Sequence, residues 1–193
     1  MSATQHIPAN LFIQMSGAPG SGKSTIARLL RTSIGGVIID HDVLRSSLLE
    51  SGRIPFDQAA KEAYIVQWRL AQDFMRQGLN VIIDSCCNYP EVLDQGSTLA
   101  SQNDYVYWYV ETRVQDIDLL DKRLRTRDPM SSQRTGVDCP PAAAQGDHVR
   151  QDSRVIFKKW IENPSRPENN VIIVDSTGNP EILRGQILKR IVG

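Results

Sequence analysis

The stretch Gly17-Ala18-Pro19-Gly20-Ser21-Gly22-Lys23-Ser24-Thr25 satisfies the Walker A spacing G-x-x-x-x-G-K-[ST] at every fixed position. Just before it lies the apolar run 11–15, Leu-Phe-Ile-Gln-Met, with the length and composition of a strand. Just after it, Ile26, Leu29 and Leu30 recur at helical spacing. A glycine-rich turn between a strand and a helix bends sharply and points successive N–H groups inward, while the helix aims its positive dipole end at the same place. Phosphate oxygens are what such a nest binds. The whole stretch is therefore expected to cradle ATP, with Lys23 reaching the β and γ phosphates and the Ser24 hydroxyl ligating Mg²⁺.

Working outward, four further short apolar runs rich in β-branched or aromatic residues occur at 37–39, 81–83, 105–110 and 171–174, separated by stretches of helix length. Between them, the periodic sets Ala60, Ala63, Tyr64, Ala71, Phe74, Met75 and Ile117, Leu120, Leu124 mark two more helices, the first ending at Gly78. This alternation predicts an α/β fold: a three-layer, nucleoside-kinase-like P-loop NTPase with a five-stranded parallel sheet. A chain of 193 residues suits one such domain, 1–193. The stretch 128–146 differs, with Pro129, Gly136, Pro140, Pro141 and Gly146 and no apolar period. It reads as a long loop within the domain, either a functional lid expected to be mobile without nucleotide or a plainly disordered connection.

Composition excludes several classes of function. Lys and Arg total 22 against 22 Asp and Glu, so a globally basic nucleic-acid binder is disfavoured. Residues 1–10 carry no Lys or Arg, and the run 11–15 is too short for a signal segment or a membrane span, which predicts a soluble cytoplasmic protein with no membrane partner. Of the three cysteines, Cys86 and Cys87 are adjacent and cannot form a C-x-x-C clip, so reduced thiols without zinc are expected.

No N-K-x-D element of a GTPase occurs, and a motor ATPase would need more chain, which leaves the small kinases. Phosphoryl transfer is chiefly positioning and charge stabilisation, with one proton to remove from the acceptor. Asp40-His41-Asp42-Val43-Leu44-Arg45 follows the second predicted strand, where open α/β sheets place their ligands. By the period of two, Asp40 and Asp42 are expected on one face, with Asp42 the candidate general base, an ordinary helix N-cap being the alternative, and Arg45 one helical turn beyond it to position an acceptor or a phosphate. His41 reads as structural. The third strand ends on Asp84, in the manner of a carboxylate that holds Mg²⁺ through water, and Asp40 competes with it for that role. Asp175 ends the last strand and is assigned no chemistry.

Lys122-Arg123-Leu124-Arg125-Thr126-Arg127 runs into the lid. Arg123 and Arg127 are four apart, hence expected on one helical face, where a pair can clamp phosphate oxygens; the alternative is cations favoured by the helix dipole. Phe56, Tyr64 and Trp68 either line an acceptor pocket or fill the core.

Together these parts resemble the AAA-type P-loop kinases grouped with polynucleotide 5′-hydroxyl kinases, zeta-type toxins and chloramphenicol phosphotransferase. The resemblance rests on residues 17–24, D-x-x-R at Asp42 and Arg45, Asp84-Ser85, and R-x-x-x-R at Arg123 and Arg127. It implies that Asp42 is the acceptor base and that the lid arginines hold ATP. The stretch 131–141 resembles a group of fungal proteins. Where polynucleotide kinases often carry Thr-Asn after the strand-three acid, this chain has Ser85-Cys86-Cys87-Asn88. The expectation is an ATP- and Mg²⁺-dependent transferase that phosphorylates a hydroxyl of a small-molecule acceptor. A nucleoside or polynucleotide 5′-hydroxyl kinase is the first alternative, so a nucleic-acid partner is disfavoured but retained. A nucleotide-binding switch or scaffold without phosphotransfer is the second.

Overall fold

In the computed structural model, residues 10–86, 89–144 and 153–193 are described. The run Leu-Phe-Ile-Gln-Met-Ser forms β1 (Leu11–Ser16), buried along its whole length, as befits the central strand of a parallel sheet covered on both faces. Around it stand β2 (Val37–Asp40), β3 (Val81–Asp84), β4 (Val106–Arg113) and β5 (Val171–Asp175), in the order β2-β3-β1-β4-β5 with every pairing parallel. The crossover connections are helical: α1 (Lys23–Ile34), α2 (His41–Glu50), α3 (Phe56–Arg76), α4 (Pro90–Gln102), α5 (Ile117–Thr126) and α6 (Ser153–Glu162), with α7 (Pro180–Val192) following β5. This is the expected three-layer α/β architecture.

The alternation along β1 builds the layers. Leu11, Ile13 and Met15 face α1 and α7, meeting Ile26, Leu30, Leu183 and Ile187. Phe12 turns the other way, into a cluster with Trp68, Ala71 and Met75 of α3 and Val92 and Leu93 of α4. At about 25 cal/mol per Å² of apolar surface removed from water, these two clusters supply the main favourable term of folding. A third cluster, Ala18, Leu120, Leu124, Val137, Phe157 and Ile161, packs α5 and α6 beside the phosphate loop.

Two expectations need correction. The fourth strand runs on to Arg113, because Glu111 is charge-compensated by Arg166 at 2.7 and 2.9 Å and can stay in the buried ladder. Asp40 and Asp42 do not share a strand face. The chain turns helical at His41, and Asp40 becomes the N-cap of α2, its Oδ1 accepting from the Asp42 N–H at 2.9 Å and the Val43 N–H at 3.4 Å.

Candidate functional site

The phosphate loop is stapled to the carboxyl edge of the sheet. Gly17 has φ 134°, and a Cβ there would collide with the Thr112 carbonyl oxygen, so only glycine lets the loop lie against β4. The Ser21 hydroxyl meets that of Thr112 at 2.8 Å, and the Ser176 hydroxyl donates to the Ser21 carbonyl at 2.6 Å. Gly22, at φ 92°, precedes α1 without a side-chain cap, and Gly22, Lys23, Ser24 and Thr25 all line the cleft. The positive end of α1 thus opens onto the cleft.

Lys23 Nζ donates to the carbonyl oxygens of Gly17 and Ala18 at 2.9 and 3.1 Å. Burial works against its charge, but the neighbouring Cys86, Asp84 and Asp42 outweigh that and hold its pKa above the ordinary lysine value. Asp84, the last residue of β3, is 4% exposed. Burial raises its carboxyl pKa, against the lowering effects of a hydrogen bond from the Ser24 hydroxyl and of the Lys23 charge. Asp40 is pushed up to about 6 by burial and by the charges of Asp84 and Asp42.

Ser24 and Asp84 converge as a hydroxyl and a carboxylate, hard oxygen donors of the kind Mg²⁺ takes together with retained waters and phosphate oxygens. Among the described residues, no group of three or more His, Cys, Asp or Glu comes together to hold a metal. A hydroxyl beside a single carboxylate fits an ion whose remaining ligands are water and nucleotide phosphate.

Asp42 lies in the first turn of α2, and its Oδ2 accepts a hydrogen bond from Gln133 Nε2 at 2.7 Å. Arg45 stacks its guanidinium 3.9 Å from the Phe56 ring centroid and donates to the Phe56 carbonyl at 3.2 Å. Its Nε is buried and has no hydrogen-bond partner among the described residues. Burial lowers its pKa, with Asp42 and Asp57 opposing, and an arginine remains a cation at neutral pH. His41 sits in the first turn of α2 with its ring 4.1 Å from that of Tyr64, and burial lowers its pKa.

Arg123 and Arg127 both line the cleft but bond different partners, Arg127 being the extended C-cap of α5, which ends at Thr126. Arg123 donates to the carbonyls of Ser176 at 2.9 Å and Gly20 at 3.4 Å, bracing the phosphate loop. Arg127 donates to the Arg134 carbonyl at 2.8 Å, and its buried Nε has no partner among the described residues. Burial lowers its pKa against the pull of Asp42 and Cys86, which puts it among the groups around Lys23.

Within the expected lid, residues 128–144 are described and 145–146 lie outside the described residues, as does Cys87. The segment has no regular secondary structure but is tied down: Ser132 to Ser46 and to the Asp42 carbonyl, Gln133 to Asp42, and the Val137 N–H to Asp121 at 2.7 Å. It roofs a cleft of about 1700 Å³. Single-ligand pockets span roughly 300–1,000 Å³, so this one can hold a nucleotide and an acceptor together. Phe56 and Tyr64 line it, whereas Trp68 is 7% exposed in the core. Tyr89, Trp160, Ser176 and Gln133 also line it and carried no readable signal, since their roles depend on where loops fold back. Among the described residues, Cys86 and Cys139 are free thiols.

A family model described as "AAA domain" matches residues 12–153. No curated protein matches the sequence. Among solved structures, a candidate kinase from Chloroflexus aurantiacus superposes with a TM-score of 0.71 at 16% identity, covering 95% of this chain and 99% of that one. The APS kinase of Mycobacterium tuberculosis, in complex with AMPPNP and APS, gives 0.63 at 15% identity over 96% and 99%. A gluconokinase from Sinorhizobium meliloti gives 0.59 at 14% identity over 94% and 91%. At these identities the likeness is one of fold.

Proposed function

The chain belongs to the AAA-domain family matched over residues 12–153, and on that premise we propose that it is an ATP- and Mg²⁺-dependent kinase acting on a hydroxyl of a small molecule. The observation that carries this reading is the gathering of Lys23, the Ser24–Asp84 pair, Asp42 and Arg127 in one cleft large enough for two ligands. Structural neighbours that are an APS kinase and a gluconokinase support an acceptor of metabolite size.

In this reading the phosphate loop and Lys23 bind the β and γ phosphates. Mg²⁺, held by Ser24 and, through water, Asp84, with Asp40 as the alternative, would supply charge neutralisation of the phosphate oxygens. Arg45 and the Phe56 and Tyr64 rings position the acceptor. Asp42 takes the proton from its hydroxyl as that oxygen bonds to the γ phosphorus and the bond to the ADP oxygen breaks. Arg127 then offsets the charge on the transferring group. Arg123 acts by holding the loop in shape.

The polynucleotide and nucleoside 5′-hydroxyl kinases are the second reading, favoured by Arg127 and Arg134 at the cleft and opposed by a net charge of zero. The deciding experiment is transfer of γ-labelled phosphate from ATP to a panel of gluconate, sugars, adenylyl sulfate, nucleosides and 5′-hydroxyl oligonucleotides, with Asp42→Asn as control. Labelled product from a small alcohol, lost in the control, supports the proposal. Labelling of oligonucleotides alone, with steep salt dependence, selects the second reading. Binding of ATP with no transfer to any acceptor leaves a nucleotide switch.

A further inference from the structure

The lid makes a direct side-chain contact to a carboxylate of the cleft. Gln133 Nε2 lies 2.7 Å from Asp42 Oδ2 across 91 residues of sequence. The amide cannot be turned over, because the Met130 N–H already donates to Gln133 Oε1 at 3.3 Å. Ser132 reinforces the docking. Its N–H donates to the Ser46 hydroxyl at 3.1 Å, that hydroxyl donates to Ser132 Oγ at 2.8 Å, and Ser132 Oγ donates to the Asp42 carbonyl at 3.2 Å. Both Ser46 and Ser132 are buried. The lid therefore grips the residue at position 42 by its main chain and its side chain at once.

We propose that Gln133 is a positioning residue for Asp42, an inference that rests on the base role proposed above. The torsion that turns an aspartate carboxylate is broad and roughly two-fold, so the group would otherwise sweep its two oxygens through the cleft. A donor fixed on Oδ2 stops that rotation. It also biases which oxygen works. The amide nitrogen has hydrogens to give and no lone pair to receive with, so it makes Oδ2 the less basic oxygen and favours Oδ1 for taking the hydroxyl proton. Because the donor sits on the lid, the base is oriented only while residues 130–133 are docked on α2. The acceptor site is thus completed by the same segment that roofs it.

The test uses the full chain and needs two arms. In the first, unfolding equilibria are compared for wild type, Gln133→Glu, Asp42→Asn and the double exchange. Gln133→Glu sets carboxylate against carboxylate and should raise the unfolding constant about five- to tenfold. The double exchange restores a donor–acceptor pair with its direction reversed, and should return the constant to within about twofold of wild type. Simple additivity of the two changes would overturn the contact.

In the second arm, γ-phosphoryl transfer to the acceptor panel is measured with Gln133→Leu. We expect kcat to fall about tenfold with KM for ATP unchanged, the signature of a group that acts only in the chemical step. The double exchange, stable but without a carboxylate at position 42, should stay inactive. Wild-type kcat in Gln133→Leu overturns the positioning role while leaving Asp42 as base. Full transfer by Asp42→Asn removes the base role, and the proposal with it.

Discussion

Lys23 Nζ lies 2.9 Å from the carbonyl oxygen of Gly17, so the phosphate loop holds its own lysine by the main chain it wraps around. An arriving γ phosphate competes with neutral carbonyls for a charged donor, and a charge-assisted bond wins that competition. Lys23→Ala should therefore lower phosphotransfer at least about a hundredfold, since transition-state charge stabilisation is typically worth several kcal/mol. The fold should persist, because the loop keeps its bonds through Ser21, Thr112 and Ser176. Circular dichroism checks the fold, and the rise in melting temperature with Mg²⁺–ATP should shrink. Near-wild-type turnover would defeat the kinase reading.

Asp42→Asn keeps the shape of the side chain and can still face Gln133, but it has no lone pair basic enough to take the acceptor proton. Acceptor phosphorylation should fall far more than background ATP hydrolysis, with ATP affinity retained. Parallel loss of both activities would make Asp42 a metal or folding residue instead.

The central strand, the phosphate loop and the five-stranded sheet were legible because each is local: an apolar run, a glycine spacing, a helical period. Asp42 and Arg45 line the cleft, whereas strand alternation does not extend past Asp40. There a capping bond from its own side chain starts a helix one residue later. Helix α5 stops between Arg123 and Arg127, so helical spacing alone does not relate the two, although both line the cleft. Gln133 and Ser132 were invisible as site residues. Their partners lie 86 to 91 positions away, and nothing in a Pro- and Gly-rich stretch reports where it lands. The Leu183, Ile187, Ile191 spacing of α7 is a local helical period too, and buries one face of that helix.

The acidic cluster gives a pH prediction with a definite sign. The Asp40 carboxyl is pushed up to about 6 from the ordinary 3.8, so the folded state holds that proton more tightly than the unfolded chain does. The resulting stability is fully present below about pH 4 and is lost as pH rises through about 6. In EDTA-containing buffer, melting temperature should fall across that window, and Asp40→Asn should flatten the fall while keeping a serviceable N-cap. An unchanged pH slope in the variant would move the effect to Asp84, whose pKa is also raised by burial.

Mg²⁺ dependence separates the two carboxylates further. Asp84 is buried and bonded to Ser24, whereas one oxygen of Asp40 is occupied by the backbone of α2. Asp84→Asn should raise the Mg²⁺ concentration needed for half-maximal transfer about tenfold or more, by loss of one charged ligand partner. Asp40→Asn should leave that titration within about twofold. The reverse ranking in Mg²⁺ titrations at saturating ATP would assign the metal-linked role to Asp40.

The lid is decided by Arg127. Its guanidinium donates to the Arg134 carbonyl at 2.8 Å, Arg134 donates to the Val137 carbonyl at 2.7 Å, and the Val137 N–H is taken by Asp121. These bonds fasten residues 128–144 more firmly than Pro and Gly content suggests, so trypsin should cut only slowly after Arg134 in the nucleotide-free protein. Arg127→Ala removes the first bond of the chain and should speed that cut several-fold. A phosphate oxygen offers Arg127 Nε the partner that the described residues do not give it. Mg²⁺ with a non-hydrolysable ATP analogue should therefore slow cleavage of the wild type and protect Arg127→Ala much less, because closure gains its charge-assisted bond only where the guanidinium exists. Equal cleavage with and without the analogue in both proteins would leave Arg127 as a capped helix end and the segment as a surface connection.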